Sequence, residues 1–244
     1  MNRDTDIVYT RLPGTKVTDE HLIACSKLFS EHYGLWGRQP DPKAPGPKPG
    51  SRVRLSPERL RQQSLYDPER CSLVTAHLGD ELIGHAFVTE FEYGSFGSVS
   101  WITQLVVRTD QRSRGIGSRL CRIACSPSPK PFACGLVSSH PHAVRALERG
   151  VGLRCDVDSI QRHAAGLVAA SGIPYVQGCQ VVGCCIDTAF HVDHTEVDEL
   201  ARHQAGWALG RLAEGQEYFG FAFAATSESC TGDSGNRVAV EVGA

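Results

Sequence analysis

Runs and alternations of apolar residues divide the chain into short segments. "DIVYTRL" (6–12) reads as an opening strand. Over 18–33 the period lengthens: Leu22, Cys25, Phe29 and Tyr33 form one stripe, which predicts a helix. Thr18 is placed to cap it, and Asp19 and Glu20 suit its positive end. Ser56 followed by Pro57 predicts a second helix start, running to about residue 65. Three strands follow, "CSLVTAHL" (71–78), "ELIGHAFVTEFE" (81–92) and "SWITQLVVR" (100–108), with "GDE" turning the first into the second. The third is apolar on both faces near its end, at Leu105, Val106 and Val107, as a strand covered on both sides would be.

Further along, Ile116, Leu120 and Ile123 recur at helical spacing until "SPSPKP" (126–131) stops them. "FACGLVSS" (132–139) predicts a strand, and "HPHAVRALERG" (140–150) a helix with Pro141 in its first turn and Gly150 as its stop. A helix over 157–170, a strand over 180–192, a helix from about 195 to 212 and a last strand over 217–224 complete the pattern. In the 180–192 strand the vicinal Cys184 and Cys185 would point to opposite faces. The Pro- and Gly-rich stretch 37–50 predicts an exposed loop. The expectation is a mixed α/β domain over 1–225, with a core over 6–155 and an extension over 156–225, then a flexible tail over 226–244.

The net charge of −2 provides no broad basic field, so neither nucleic acid nor an anionic membrane is an expected partner. Any anion site must be local. No apolar run approaches a membrane span, and the first ten residues lack the apolar stretch of an export signal. The ten cysteines form no CxxC pair, and we expect them reduced in a cytoplasmic protein. "HVDHTEVDE" (191–199) gathers His191, Asp193, His194, Glu196 and Asp198. His-x-x-His at a strand end converges poorly on a metal, so none is expected; the acidic residues suit the start of the next helix. The same cluster offers a base or a seat for a cationic amine.

One local site stands out. "VVRTDQRSRGIGSRL" (106–120) joins the doubly apolar strand to a helix through Gly115 and Gly117. Arg108, Arg112, Arg114, Arg119 and Arg122 crowd the joint in an otherwise nearly neutral chain. A helix N-terminus presents unpaired N–H groups and partial positive charge, which suit phosphate, and glycines let an anion approach the backbone. No GxxxxGK[ST] is present, and GxGxxG lacks its third glycine.

The spacing Arg112-x-x-Gly115-x-Gly117 after a buried strand resembles the acetyl-CoA motif of the GNAT superfamily of N-acetyltransferases, Q/R-x-x-G-x-G/A. "GLVSSHPHAVRALERGVG" (135–152) resembles the strand and helix that follow it in that family. The resemblance implies a mostly antiparallel, splayed central sheet flanked by helices. It implies that the backbone of Arg112, Ser113, Arg114, Gly115, Ile116, Gly117 and Ser118 cradles the CoA pyrophosphate. Leu105, Val106 and Val107 would pair with the pantetheine arm, with the Val106 N–H polarising the thioester carbonyl, and His140 would lie beside it. An amine acceptor would attack directly, and a small molecule is favoured over a protein.

Several positions depart from the family pattern. Its usual Tyr falls on Leu147, its Asn on His140, its strand Glu near Trp101, and its closing Gly-Phe on Gly152-Leu153. His140, His191, His194 and Glu92 are therefore the candidates for proton transfer, with Glu90 beside the last. His85, mid-strand, reads as a packed core histidine. The same departures fit a second reading, a CoA-binding or interaction module of this fold that has lost catalysis. The 37–50 loop and the segment after 155 could wall an acceptor site or form a homodimer interface.

Overall fold

The computed structural model describes residues 7–38, 46–126, 130–193 and 197–224. Its strands are β1 (Ile7–Pro13), β2 (Cys71–Leu78), β3 (Glu81–Glu92), β4 (Ser98–Val107), β5 (Ala133–Ser138), β6 (Gln180–Val182), β7 (Cys185–Asp187) and β8 (Gln216–Phe223). They form one sheet in the order β1-β2-β3-β4-β5-β8-β7-β6. Every neighbouring pair is antiparallel except β4 and β5, which are parallel. The helices are α1 (Asp19–His32), α2 (Pro57–Ser64), α3 (Ile116–Ala124), α4 (Pro141–Val151), α5 (Val157–Ser171) and α6 (Val197–His203).

Strand alternation sends the apolar residues to two cores. Phe87 and Val106 join Leu22, Phe29 and Leu60 of α1 and α2 on one face. Ala86, Val88 and Trp101 join Leu120, Leu147 and Leu167 of α3, α4 and α5 on the other. The expected caps are present. Thr18 accepts from the His21 N–H at 3.5 Å, and Ser56 from the Arg59 N–H at 3.2 Å.

Three boundaries differ from expectation, and so does one packed stripe. Gly150 lies inside α4, where a Cβ would stand 2.6 Å from the Ser118 carbonyl oxygen; it lets α4 approach α3, and the left-handed Gly152 ends the helix. The 180–192 segment is not one strand, because the left-handed Gly183 reverses it into the β6–β7 hairpin. Cys184 is therefore in the turn and Cys185 opens β7, both buried. The last helix, α6, stops at His203. Trp207 lies beyond it, held between the Tyr218 ring at 4.8 Å and the Arg145 guanidinium at 5.2 Å. On α3, Ile123 is only half-buried, and Cys121 and Ala124 complete the packed stripe.

Arg145 also pairs with buried Glu148, which accepts from Arg154 at 2.8 Å and from the Cys155 N–H at 2.9 Å. This cluster ties α4 to the chain that follows it. The nine cysteines among the described residues are all free.

Gly135 on β5 faces Phe221 on β8, and a Cβ there would stand 2.2 Å from that fully buried ring. We expect Gly135→Ala to cost about 1–3 kcal/mol, as overpacking does. Urea unfolding measures it, and an unchanged midpoint would show that the ring has room to yield.

Candidate active site

The site begins with an irregularity in β4. Phe87 pairs with Gln104 and Val88 with Ile102, so Thr103 is an extra residue bulged out of the ladder. Pairing of β4 with β5 covers Val99–Ile102 against Ala133–Leu136 and stops there. Past the bulge β4 stays with β3, while β5 stays with β8 through Ser138, and a gap opens between them.

Antiparallel alternation decides which groups face that gap. The Arg108 N–H donates to the Ile83 carbonyl at 2.9 Å, so Val106 directs its own N–H at its partner His85. Leu105 and Val107 turn theirs toward the gap. The donor expected from Val106 is thus offered by Leu105, and the Val106 side chain is buried against α1 and α2.

A cleft of about 370 Å³ runs from the gap to the N-terminus of α3. Leu105, Val106, Val107, Arg112, Ser113, Gly115, Ile116, Gly117, Ser118 and His140 all line it. Ser113 (φ 62°) and Gly115 (φ 78°) are both left-handed, which a glycine accepts freely and a serine only under strain. The first intrahelical bond runs from the Arg119 N–H to the Gly115 carbonyl at 3.0 Å, leaving the Ile116, Gly117 and Ser118 N–H groups open. At Gly117 a Cβ would touch the Ala146 Cβ at 3.4 Å, so α4 closes on this turn.

The arginines are more committed than their spacing suggests. Arg108 pairs with Glu81 and with Asp110 at 2.7 Å. Arg112 donates to the Val107 carbonyl at 3.1 Å and to the His32 carbonyl, bracing the turn against α1. Arg114 bonds the Gln111 side chain and does not line the cleft. Arg119 lies over the Tyr9 ring. Arg149 on α4, which spacing alone did not single out, faces the cleft along with His142.

His140 caps α4 with Nδ1 accepting from the His142 N–H at 3.2 Å. Burial, then the neighbouring His142 and Arg112, push its pKa down to about 4. At neutral pH it is uncharged, with Nδ1 occupied and the proton on Nε2, so it can donate but is not set as a base. His191 is half-buried against Gly215 and lines neither the cleft nor the cavity beside it. His194 and Glu196 lie outside the described residues. Asp193 and Val197 border the cleft. Glu92 is exposed at the end of β3, opposite Ser98 and away from both spaces, and Glu90 pairs with Arg11 at 2.9 Å. Leu147 is fully buried in the core. Trp101 packs edge-on against Phe219 and Phe221, at 5.3 and 4.9 Å. His85 is core, as expected, and bonds Gln104 at 2.8 Å.

A second cavity of about 260 Å³ lies across the gap and shares Tyr33, Leu105, Ser138 and Ala143 with the cleft. Glu217, the second residue of β8, lines it and is 6% exposed. It accepts from the Thr188 hydroxyl at 2.7 Å and from the Ser139 backbone. Burial outweighs both bonds and raises its pKa to about 7. Burial and the Glu217 charge also push the Tyr33 and Tyr175 phenols upward. The Tyr175 hydroxyl donates to the bulged Thr103 carbonyl at 3.4 Å. The roof is a small ladder: Trp36 N–H to Ser51 at 2.8 Å, Gly37 N–H to His191 at 2.9 Å, and Asp193 N–H to Leu35 at 3.0 Å, all to carbonyls. A Cβ on Gly37 would stand 2.5 Å from the Val192 carbonyl oxygen, so only glycine fits that approach. A sequence signal for Glu217 existed, a lone carboxylate heading the aromatic strand "EYFGFAFA".

Residues 38–152 match the model of the Acetyltransferase (GNAT) family. The matched segment is similar to a GNAT acetyltransferase domain and makes up just under half of the chain. The match takes in β2 to β5 with most of the cleft lining, and stops before β8, so Glu217 lies beyond it. Among solved structures, the chain is similar to an aminoglycoside acetyltransferase from an uncultured soil metagenomic sample, at 20% identity over 48% of this chain and 66% of that one, with a TM-score of 0.33. The present chain thus spans just under two thirds of that protein. It is also similar to a polyamine N-acetyltransferase of Drosophila melanogaster (13% identity, 62% of this chain, 84% of that one, TM-score 0.43). A third is an acetyltransferase from Thermus thermophilus (18% identity, 61% of this chain, 88% of that one, TM-score 0.42). No curated protein matches the chain. Among the described residues no helix is long and apolar enough to cross a membrane, and no group of three metal-ligating side chains occurs.

The raised pKa of Glu217 makes the fold favour its protonated form. Its contribution to stability is therefore full below the ordinary carboxylate range and lost as pH rises through about 7. We expect Glu217→Gln to gain on the native protein between pH 5 and 8, by at most about 3 kcal/mol. Urea unfolding at pH 5 and pH 8 tests this; an equal difference at both would show that Glu217 does not titrate in that range.

Proposed function

We propose that this acetyltransferase transfers the acetyl group of acetyl-CoA to the primary amine of a small molecule, in the cytoplasm, with both substrates held across the gap between β4 and β5. The observation that carries this reading is Glu217, a buried carboxylate with a pKa of about 7 that lines the cavity adjoining the cleft. An alkylamine with a pKa near 10 is almost fully protonated at neutral pH and must lose a proton before it can attack. A carboxylate half-ionised at working pH suits that task far better than an ordinary glutamate.

Acetyl-CoA supplies an acyl group already activated as a thioester. The open N–H groups of Ile116, Gly117 and Ser118, with the Arg112 and Arg149 guanidiniums, are the chain's means of holding its pyrophosphate. Leu105 and Val107 offer strand-edge N–H groups to the pantetheine arm, and the Leu105 N–H is the donor for the acyl oxygen. Neutral His140 keeps one N–H to offer the departing thiolate. A thiol with a pKa near 8.5 leaves without a stronger acid, which suits the leucine at 147. The nine cysteines among the described residues, all free, fit a reducing compartment. A module that had lost catalysis would have no use for a titrating carboxylate buried beside the cleft.

Gly117→Glu places a side chain and a negative charge in the phosphate turn, and should weaken acetyl-CoA by about tenfold or more, close to 1.4 kcal/mol. Isothermal titration measures this, and an unchanged curve would remove the cleft from the reading. Glu217→Gln should lower kcat by about 10²–10⁴ and remove the rising limb of the pH profile near 7, with acetyl-CoA affinity intact. Turnover of that variant close to the native rate would sink the proposed base.

A further inference from the structure

On the reading that the second cavity is the acceptor site, on which this inference rests, its outer wall specifies the acceptor's other end. Glu217 reaches the cavity from β8, on the β5 side of the gap. Arg54 and Arg59 reach it from the opposite side, just before α2 and in its first turn, and α2 packs over β3 and β4. Trp36 and Phe190 line the cavity between these elements and meet edge-on at 5.2 Å.

The neighbouring arginines have partners. Arg52 donates to the Glu31 carbonyl, and Arg61 pairs with Asp19 at 2.6 Å. Arg54 and Arg59 differ: among the described residues neither guanidinium has a carboxylate partner. Guanidinium does not lose its charge at working pH, and its planar fork matches a carboxylate. The cavity thus presents a negative end, an apolar and aromatic middle, and a positive end.

We propose that the acceptor is amphoteric: a primary amine at one end of an apolar, ring-sized body, with a carboxylate at the other end. The amine meets Glu217 and the body lies against Trp36 and Phe190. The carboxylate pairs with Arg54 and Arg59. A polyamine would bring a second cation against two guanidiniums. An α-amino acid, whose charges share one carbon, would bring its carboxylate toward Glu217. Both are disfavoured by like charge.

The test compares kcat/KM for three amines: 4-(2-aminoethyl)benzoate, phenethylamine (the same body without the carboxylate) and spermidine. Thiol release from acetyl-CoA is followed for the native protein and for the double variant Arg54→Gln, Arg59→Gln. Both positions are exposed, and a thermal unfolding midpoint confirms that the variant folds. We expect the benzoate to exceed phenethylamine by about tenfold or more, the worth of one charge-assisted hydrogen bond, and this ratio to fall toward one in the double variant. A native ratio near one, a ratio that survives the double change, or a lead for spermidine overturns the amphoteric acceptor while leaving acetyl transfer standing. Binding of acetyl-CoA with no thiol release for any of the three amines overturns both.

Discussion

A strand cannot keep its ladder with two neighbours once they diverge, and the extra residue at Thr103 forces β4 to keep β3 and leave β5. The open edge of β4, the cleft and the cavity all follow from that separation. Deep in the sheet the two strands are bound by parallel pairing between Val99–Ile102 and Ala133–Leu136, so the gap has a rigid base. Its mouth is held by contacts from elsewhere. Tyr175 fixes the bulged carbonyl, and Arg112 ties the end of β4 to the C-terminus of α1. Arg112 thus acts first as a brace. Positive charge at the α3 turn depends as much on Arg149 and on the open backbone N–H groups.

The two spaces on either side of the gap differ in electrostatic character. The cleft is built from backbone donors and arginines, an arrangement suited to a polyanion. The cavity is aromatic, with Arg54 and Arg59 in its wall and one carboxylate, which burial keeps close to the balance between its charged and neutral forms. Glu217 stands near that balance because burial strips most of its solvation, while among the described residues two hydrogen-bond donors reach it.

The cleft at the start of α3 is legible in the sequence because it is written locally. A doubly apolar strand, a glycine that must be left-handed and a helix start fall within fifteen consecutive residues, and the structure joins them as their order implies. The second cavity is assembled from the α1 end, the 34–37 segment and α2 together with the distant β8, and no spacing rule links Tyr33 to Glu217. Acidic residues in "HVDHTEVDE" drew attention because they cluster, yet clustering in sequence says little about burial. His191 turns toward Gly215, whereas Glu217, alone among aromatics, is the group the sheet buries at the site. The β6–β7 hairpin was missed for a related reason. A single glycine within an apolar run reads as a tolerated interruption, but Gly183 takes a left-handed turn and reverses the chain.

Tyr33 and Leu105 belong to both spaces at once. Tyr33 is stacked on Phe29 at 4.2 Å, so its ring moves with the end of α1 rather than freely. An occupant that displaces this partition from one chamber reshapes the other chamber too. Affinities on the two sides are then thermodynamically linked. If the first occupant raises the affinity for the second by some factor, the second raises that for the first by the same factor, whichever arrives earlier.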